Sequence, residues 1–126
     1  MNQNSLLLAA GLSGFIAVVL GAFGAHALKP GLSPALYTVY QTAVEYQFYH
    51  TGALGLIAMA PAHFRISALL KAGVAFVVGI LLFSGSLYLM ALTGIRSLGM
   101  VTPIGGVAFL IGWGLVAYTA IVSNRR

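Results

Sequence analysis

Residues 6–24 read LLLAAGLSGFIAVVLGAFG, and this uncharged run decides the fold. It is close in length to the roughly 20 mostly apolar residues that a helix needs to cross a bilayer. Working outward, three further segments of similar length follow, so that the spans fall at about 5–27, 34–59, 67–92 and 100–122. Short connections join them and leave no room for a separate soluble domain. The reading is a single all-α domain over residues 1–126, an integral membrane four-helix bundle.

Composition points the same way. Of 126 residues, 60% are hydrophobic and 6% are charged, whereas a soluble domain carries about 25% charged residues to solvate its surface. The apolar side chains must face lipid. Net charge is +5, but the basic residues are scattered at segment ends and form no face, so nucleic acid is not an expected partner. The chain contains no cysteine, which removes disulfides, thiolate metal sites and thiol catalysis. Ala25-His26-Ala27 imitates a signal-peptide cleavage site, yet no Lys or Arg precedes it and the apolar run exceeds a 7–15-residue signal core. The first segment is therefore expected to be retained.

The breaks carry turn chemistry. Lys29-Pro30-Gly31-Leu32-Ser33-Pro34 cannot continue a helix. Ser33 and Pro34 suit the cap and first position of the next one. Pro61-Ala62-His63-Phe64-Arg65 and Thr93-Gly94-Ile95-Arg96-Ser97 form the other two connections. With four spans, Arg65, Lys71, Arg125 and Arg126 share one side, while Lys29 and Arg96 lie on the other. The positive-inside bias then puts both termini in the cytoplasm. Small residues mark the expected close approaches: Ala17, Gly21 and Ala25 on the first helix, Gly79, Ser84, Gly85 and Ser86 on the third, and Ala108 and Gly112 on the fourth.

The second span is the unusual one. Thr38, Gln41, Thr42, Glu45, Tyr49 and Gly52 cluster within about 100° of one another on a helix, and Tyr40, Gln47 and His50 fall on the opposite side. Neither face suits lipid. Glu45 is the sole acid and lies about 16 Å along the helix from Pro34 at 1.5 Å per residue, near mid-membrane, where an ionisable group is costly unless paired. One reading makes it an interhelical hydrogen-bonding group, with Ser84 or Ser86 as the expected contact. The other makes it the binder of a proton, cation or ligand amine. His26 and His50 differ in depth by well over a turn, which disfavours a shared haem or metal site. No nucleophile elbow, P-loop, dinucleotide fingerprint or zinc-protease helix is present, and one acid excludes paired-carboxylate chemistry within a single chain.

Four segments together carry a resemblance. They are Gly21-Ala22-Phe23-Gly24-Ala25-His26-Ala27-Leu28, the run from Tyr40 to His50 (YQTAVEYQFYH), Phe83-Ser84-Gly85-Ser86-Leu87-Tyr88, and Thr102-Pro103-Ile104-Gly105-Gly106 continuing to Gly112-Trp113. In this order and over almost the whole chain they resemble a family of small bacterial membrane proteins. That family is catalogued as domain of unknown function 423 (UPF0382-type) and is related to eukaryotic transmembrane protein 256. The resemblance implies a four-helix, multi-pass protein of the bacterial inner membrane and supplies neither an activity nor catalytic residues. It directs attention to one polar intramembrane cluster: His26, Gln41, Glu45, Tyr49, His50, Ser84, Ser86 and Tyr88.

The expected function is non-enzymatic, with no cofactor and no metal: a structural or accessory subunit of a larger membrane complex. Two alternatives stand beside it. One is a small oligomeric channel or transporter with Glu45 on the permeation path. The other is a lipid or quinone binder in which His50 and Tyr46 or Tyr49 hold a head group. Expected partners are membrane lipids and either a larger complex or further copies of the chain.

Overall fold

The computed structural model describes residues 1–64 and 66–125; Arg65 and Arg126, two of the charges used to orient the chain, lie outside the described residues. Four helical rods follow one another: α1 (Gln3–Leu28), α2 (Pro34–Ala58), α3 (Ser67–Thr93) and α4 (Thr102–Asn124). The side chain of Asn2 caps α1 by accepting from the Ser5 amide at 2.8 Å. Ser33 caps α2 by accepting from the Leu36 amide at 3.2 Å, with Pro34 in the first turn, as the sequence indicates. α3 ends where Gly94 turns to φ 74°, a left-handed conformation that glycine adopts without a steric cost.

Two rods contain π turns. The last turn of α1, Gly24–Leu28, is one, so the helix runs through Ala25-His26-Ala27 unbroken. The other, Ile80–Ser84, interrupts α3.

Successive rods pack antiparallel. α2 and α3 form the centre, α1 flanks α2 and α4 flanks α3; α1 and α3 barely meet. Glycines set the closest approaches. A Cβ on Gly105 of α4 would fall on the Phe83 backbone nitrogen of α3. Gly79 and Gly112 accept the rings of Phe109 and Phe76 across the same seam. On α1 it is Gly24 that makes room for the Tyr40 ring, while Ala25 is exposed. Gly85, expected to mark a close approach, faces open space. The apolar core gathers Leu6, Leu54, Ile57, Leu69, Phe76 and Phe109.

Three of the rods are long and apolar enough to cross a membrane: Gln3–Leu28, Ser67–Thr93 and the stretch Arg96–Asn124 that contains α4. α2 is not among them. It is long enough, but its Gln, Glu, His, Thr and Tyr side chains lower its mean hydropathy. The four expected helices are thus present, three of them apolar enough to cross a membrane, and the one that falls short is the second, whose polar residues the sequence singles out.

Candidate functional site

α2 is built from two interleaved stripes. Tyr40, Ala43, Gln47, His50, Leu54 and Ile57, spaced alternately three and four residues apart, are buried. That spacing keeps one face of a helix turned to its neighbours. Glu45 sits two residues before Gln47 and therefore about 200° round the helix. It is exposed, as are Thr38, Gln41, Phe48, Tyr49 and Gly52.

The inner stripe holds polar groups whose bonds join different helices. Gln47 Nε2 donates to the Ser13 carbonyl at 3.0 Å and to Ser13 Oγ at 3.3 Å. Tyr88 donates to Gln47 Oε1 at 2.6 Å, and the Ser13 and Thr51 hydroxyls are hydrogen-bonded to each other at 2.7 Å. Gln47 thereby joins α1, α2 and α3. Tyr40 donates to the Leu20 carbonyl and sets its ring edge-on to Tyr88, with centroids 5.3 Å apart. The π turn of α3 carries Ser84, whose hydroxyl donates to the Ala43 carbonyl at 2.8 Å.

His50 joins α2 to α4. Its ring stacks on Phe109 with centroids 3.5 Å apart and 8° between planes. Trp113 Nε1 donates to His50 Nε2 at 3.1 Å, and Nδ1 lies 2.7 Å from the Tyr46 carbonyl. An indole N–H only donates and a carbonyl only accepts, so the imidazole is neutral with its proton on Nδ1. Both ring nitrogens are occupied, which leaves no lone pair for a metal, a haem iron or a head group.

The eight residues singled out as one cluster divide evenly. His50, Ser84, Ser86 and Tyr88 lie inside the bundle, whereas His26, Gln41, Glu45 and Tyr49 are exposed on its outside. The expected contact of Glu45 with Ser84 or Ser86 is not made. Ser84 bonds Ala43, and Ser86 donates to the Phe83 carbonyl at 2.9 Å and lies 2.6 Å from Thr102 Oγ1. The reason is phase: turning Ala43 and Gln47 toward α3 turns Glu45 away. The Glu45 carboxyl, the Gln41 amide and the Tyr49 hydroxyl have no hydrogen-bond partner among the described residues, and there no three potential metal ligands gather. The sequence reading left Tyr40, Gln47, Ser13, Thr51, Thr102 and Trp113 out of the cluster. The three-and-four spacing from Tyr40 to Ile57 is the signal that finds Tyr40 and Gln47; Thr51 lies off that stripe.

Two clefts open where rods do not pack along each other. One of about 400 Å³ lies between α1 and α3, walled by Leu12, Ile16 and Leu81, with Gln47, Ser84 and Tyr88 at its polar edge. The other, also about 400 Å³, lies between α2 and α4 and is lined by aromatic rings, among them Tyr46, Tyr49, Phe83 and Trp113.

Apolar rods joined by interhelical hydrogen bonds, with no extramembrane body among the described residues, define a small α-helical membrane protein. Comparison with known proteins says which. Residues 20–106 match the family described as protein of unknown function (DUF423). The UPF0382 inner membrane protein YgdD of Escherichia coli strain K12 is 43% identical over 127 residues, covering 100% of this chain and 96% of the relative. The UPF0382 membrane protein YwdK of Bacillus subtilis strain 168 is 42% identical over 113 residues, 87% of this chain and 90% of the relative. The UPF0382 membrane protein SSP2132 of Staphylococcus saprophyticus is 46% identical over 107 residues, 81% and 84% respectively. No solved structure matches the chain. The chain belongs to the DUF423 family and is a multi-pass protein of the bacterial inner membrane.

Proposed function

We propose that the chain is a non-enzymatic structural member of an inner-membrane assembly, to which it offers the outer face of α2. One observation carries this reading: the sole acid, Glu45, is exposed on that face without a partner among the described residues. A carboxyl group near mid-membrane is costly against lipid and is ordinarily met by a polar partner. The polar groups inside the bundle, in contrast, are used up by bonds between helices, which is how helices associate where hydrophobic drive is weak.

In this reading α2 crosses the membrane as well. Its 25 residues span about 37 Å at 1.5 Å per residue, and it runs between α1 and α3. Four crossings place both termini, by their order in the sequence, on one side with Arg65, Lys71, Arg125 and Arg126, opposite Lys29 and Arg96, and that four-to-two bias makes the side cytoplasmic. A reporter fused after Arg126 is expected to be active only in the cytoplasm; activity outside the cell contradicts the topology. Native mass measured in mild detergent or lipid is expected to exceed that of one chain. A single chain with only lipid bound contradicts the assembly.

A second reading has its own observation. The cleft between α1 and α3 is apolar along its walls and polar at one edge, the pattern of a site for a lipid or quinone chain with a small polar head. Its head group would donate to the lone pairs that the Tyr88 and Ser84 hydroxyls keep after their own donations, since the Gln47 amide is bonded on both sides. An extractable lipid that disappears in Ile16→Trp supports it, and purification without any such ligand contradicts it.

A further inference from the structure

We infer that the cleft between α1 and α3 takes an uncharged aliphatic alcohol, a hydrocarbon chain whose one hydroxyl donates to the Tyr88 and Ser84 oxygens. The inference rests on the second reading above and fixes the chemistry of its head group.

The direction of the hydrogen bonds decides the head. Four polar side chains line the cleft: Ser13, Gln47, Ser84 and Tyr88. Ser84 gives its proton to the Ala43 carbonyl, Tyr88 gives its own to Gln47 Oε1, and Gln47 Nε2 donates to the Ser13 carbonyl and hydroxyl. Ser13 Oγ lies 2.7 Å from Thr51 Oγ1. Hydrogen bonds in a row strengthen one another when each group that accepts one donates the next. The row therefore runs Tyr88, Gln47, Ser13, Thr51, and its spare hydroxyl proton falls on Thr51, which does not line the cleft. Each donor group at the polar edge thus has an acceptor already. A hydroxyl that has donated keeps lone pairs, and no described residue donates to the oxygen of Tyr88 or Ser84. What the cleft shows a ligand is acceptors.

Most membrane head groups fail against such an edge. A phosphate, a carboxylate or a quinone carbonyl would set its own lone pairs against those of Tyr88 and Ser84. An amide or a protonated carboxyl donates, but brings a carbonyl that finds no donor. An ammonium donates, but carries a charge into a cleft that no charged side chain lines. Gln47 stands beside the midpoint of α2, at a depth where an unpaired ion is costly. A hydroxyl is neutral and a donor, and it meets every condition.

The walls choose the chain. Away from the polar edge they are branched aliphatic side chains, Leu12, Ile16, Val77 and Leu81 among them, and the sole ring is that of Tyr88, which is set against Tyr40. A flat head such as a quinol is better served by the cleft between α2 and α4, whose aromatic rings offer stacking. Gly85 leaves room for the hydroxyl beside Ser84: it lines the cleft, and a Cβ there would meet nothing within 4 Å.

The test uses the full chain in lipid nanodiscs and a dodecanol that carries a diazirine in its chain. Illumination is expected to label residues 12–16 and 77–81, located by mass spectrometry. Unlabelled dodecanol should compete. 1-Fluorododecane, similar in size but without a proton to give, should compete at least about tenfold less well, the order expected when a buried polar group is left unpaired. Dodecylhydroquinone should compete no better than dodecanol. Gly85→Leu, which builds into the cleft, should abolish the labelling while the Trp113 fluorescence spectrum stays unchanged. Ser84→Ala should weaken competition by dodecanol and leave that by 1-fluorododecane as it was. Equal competition by dodecanol and 1-fluorododecane overturns the alcohol and leaves the lipid reading of the cleft standing. Stronger competition by dodecylhydroquinone overturns the aliphatic head in favour of a quinol. Undiminished labelling of Gly85→Leu overturns the placement in this cleft. No labelling of the two segments in wild type overturns the alcohol; if no lipid extracts from the purified chain either, the reading of the cleft falls with it.

Discussion

Gln47 and Glu45 lie two residues apart on one helix and differ only in an amide for an acid, yet their surroundings are opposite. Gln47 is buried and bonded to two other helices; Glu45 is exposed and has no partner among the described residues. The inner face of α2 explains how the bundle holds together, and the polar groups of both faces together make α2 too polar to count as an apolar span. A polar group in a membrane helix therefore carries no single meaning. Its phase against the packed neighbours separates a group used within the fold from one left for a partner.

The sharpest way to break this comparison is on the inner face. His50→Ala removes the stack on Phe109 and the acceptor for Trp113, and should destabilise the bundle by about 3 kcal/mol, as for other large-to-small core changes. Denaturant titration in micelles, followed by fluorescence of the sole tryptophan, reads it; a loss under about 1 kcal/mol says that His50 does not join α2 to α4. Gly105→Ala comes next. Its Cβ would meet backbone rather than a movable side chain, so a cost of about 1–3 kcal/mol is expected. Gly52→Ala on the outer face should leave monomer stability within about 0.5 kcal/mol of wild type or raise it, since alanine favours the helix. Equal losses at the two glycines would erase the distinction between faces. The smallest effect is expected from Tyr49→Phe, whose hydroxyl bonds nothing described, with stability unchanged within about 0.5 kcal/mol.

Much of the architecture was legible because it follows from gross physical constraints. Long uncharged runs, proline-rich breaks and the Ser33-Pro34 start each have one structural reading, and the rods begin and end within about three residues of the expected positions, the usual uncertainty of helix ends. The polar site was legible in content and not in arrangement. Glu45, His50, Ser84 and Tyr88 stand out as residue types in an apolar chain, but composition does not say which side of α2 faces α3. The burial rule that works in water gives no help, because lipid and protein core are both apolar. Periodicity does help: the regular three-and-four spacing of Tyr40, Ala43, Gln47, His50 and Leu54 marks the inner stripe, and the matching spacing through Glu45 marks the outer one. The π turn at Ile80–Ser84, which carries Ser84, has no such signature.

The most direct test measures Gln47→Leu and Glu45→Leu side by side, each for monomer stability and for native mass. Gln47→Leu should cost about 1–2 kcal/mol in stability by stripping partners from Tyr88 and Ser13. Glu45→Leu should leave stability unchanged and lower the share of the chain found in the assembly. A Glu45→Leu protein that unfolds more readily than Gln47→Leu while keeping its native mass would contradict the assignment of the two faces.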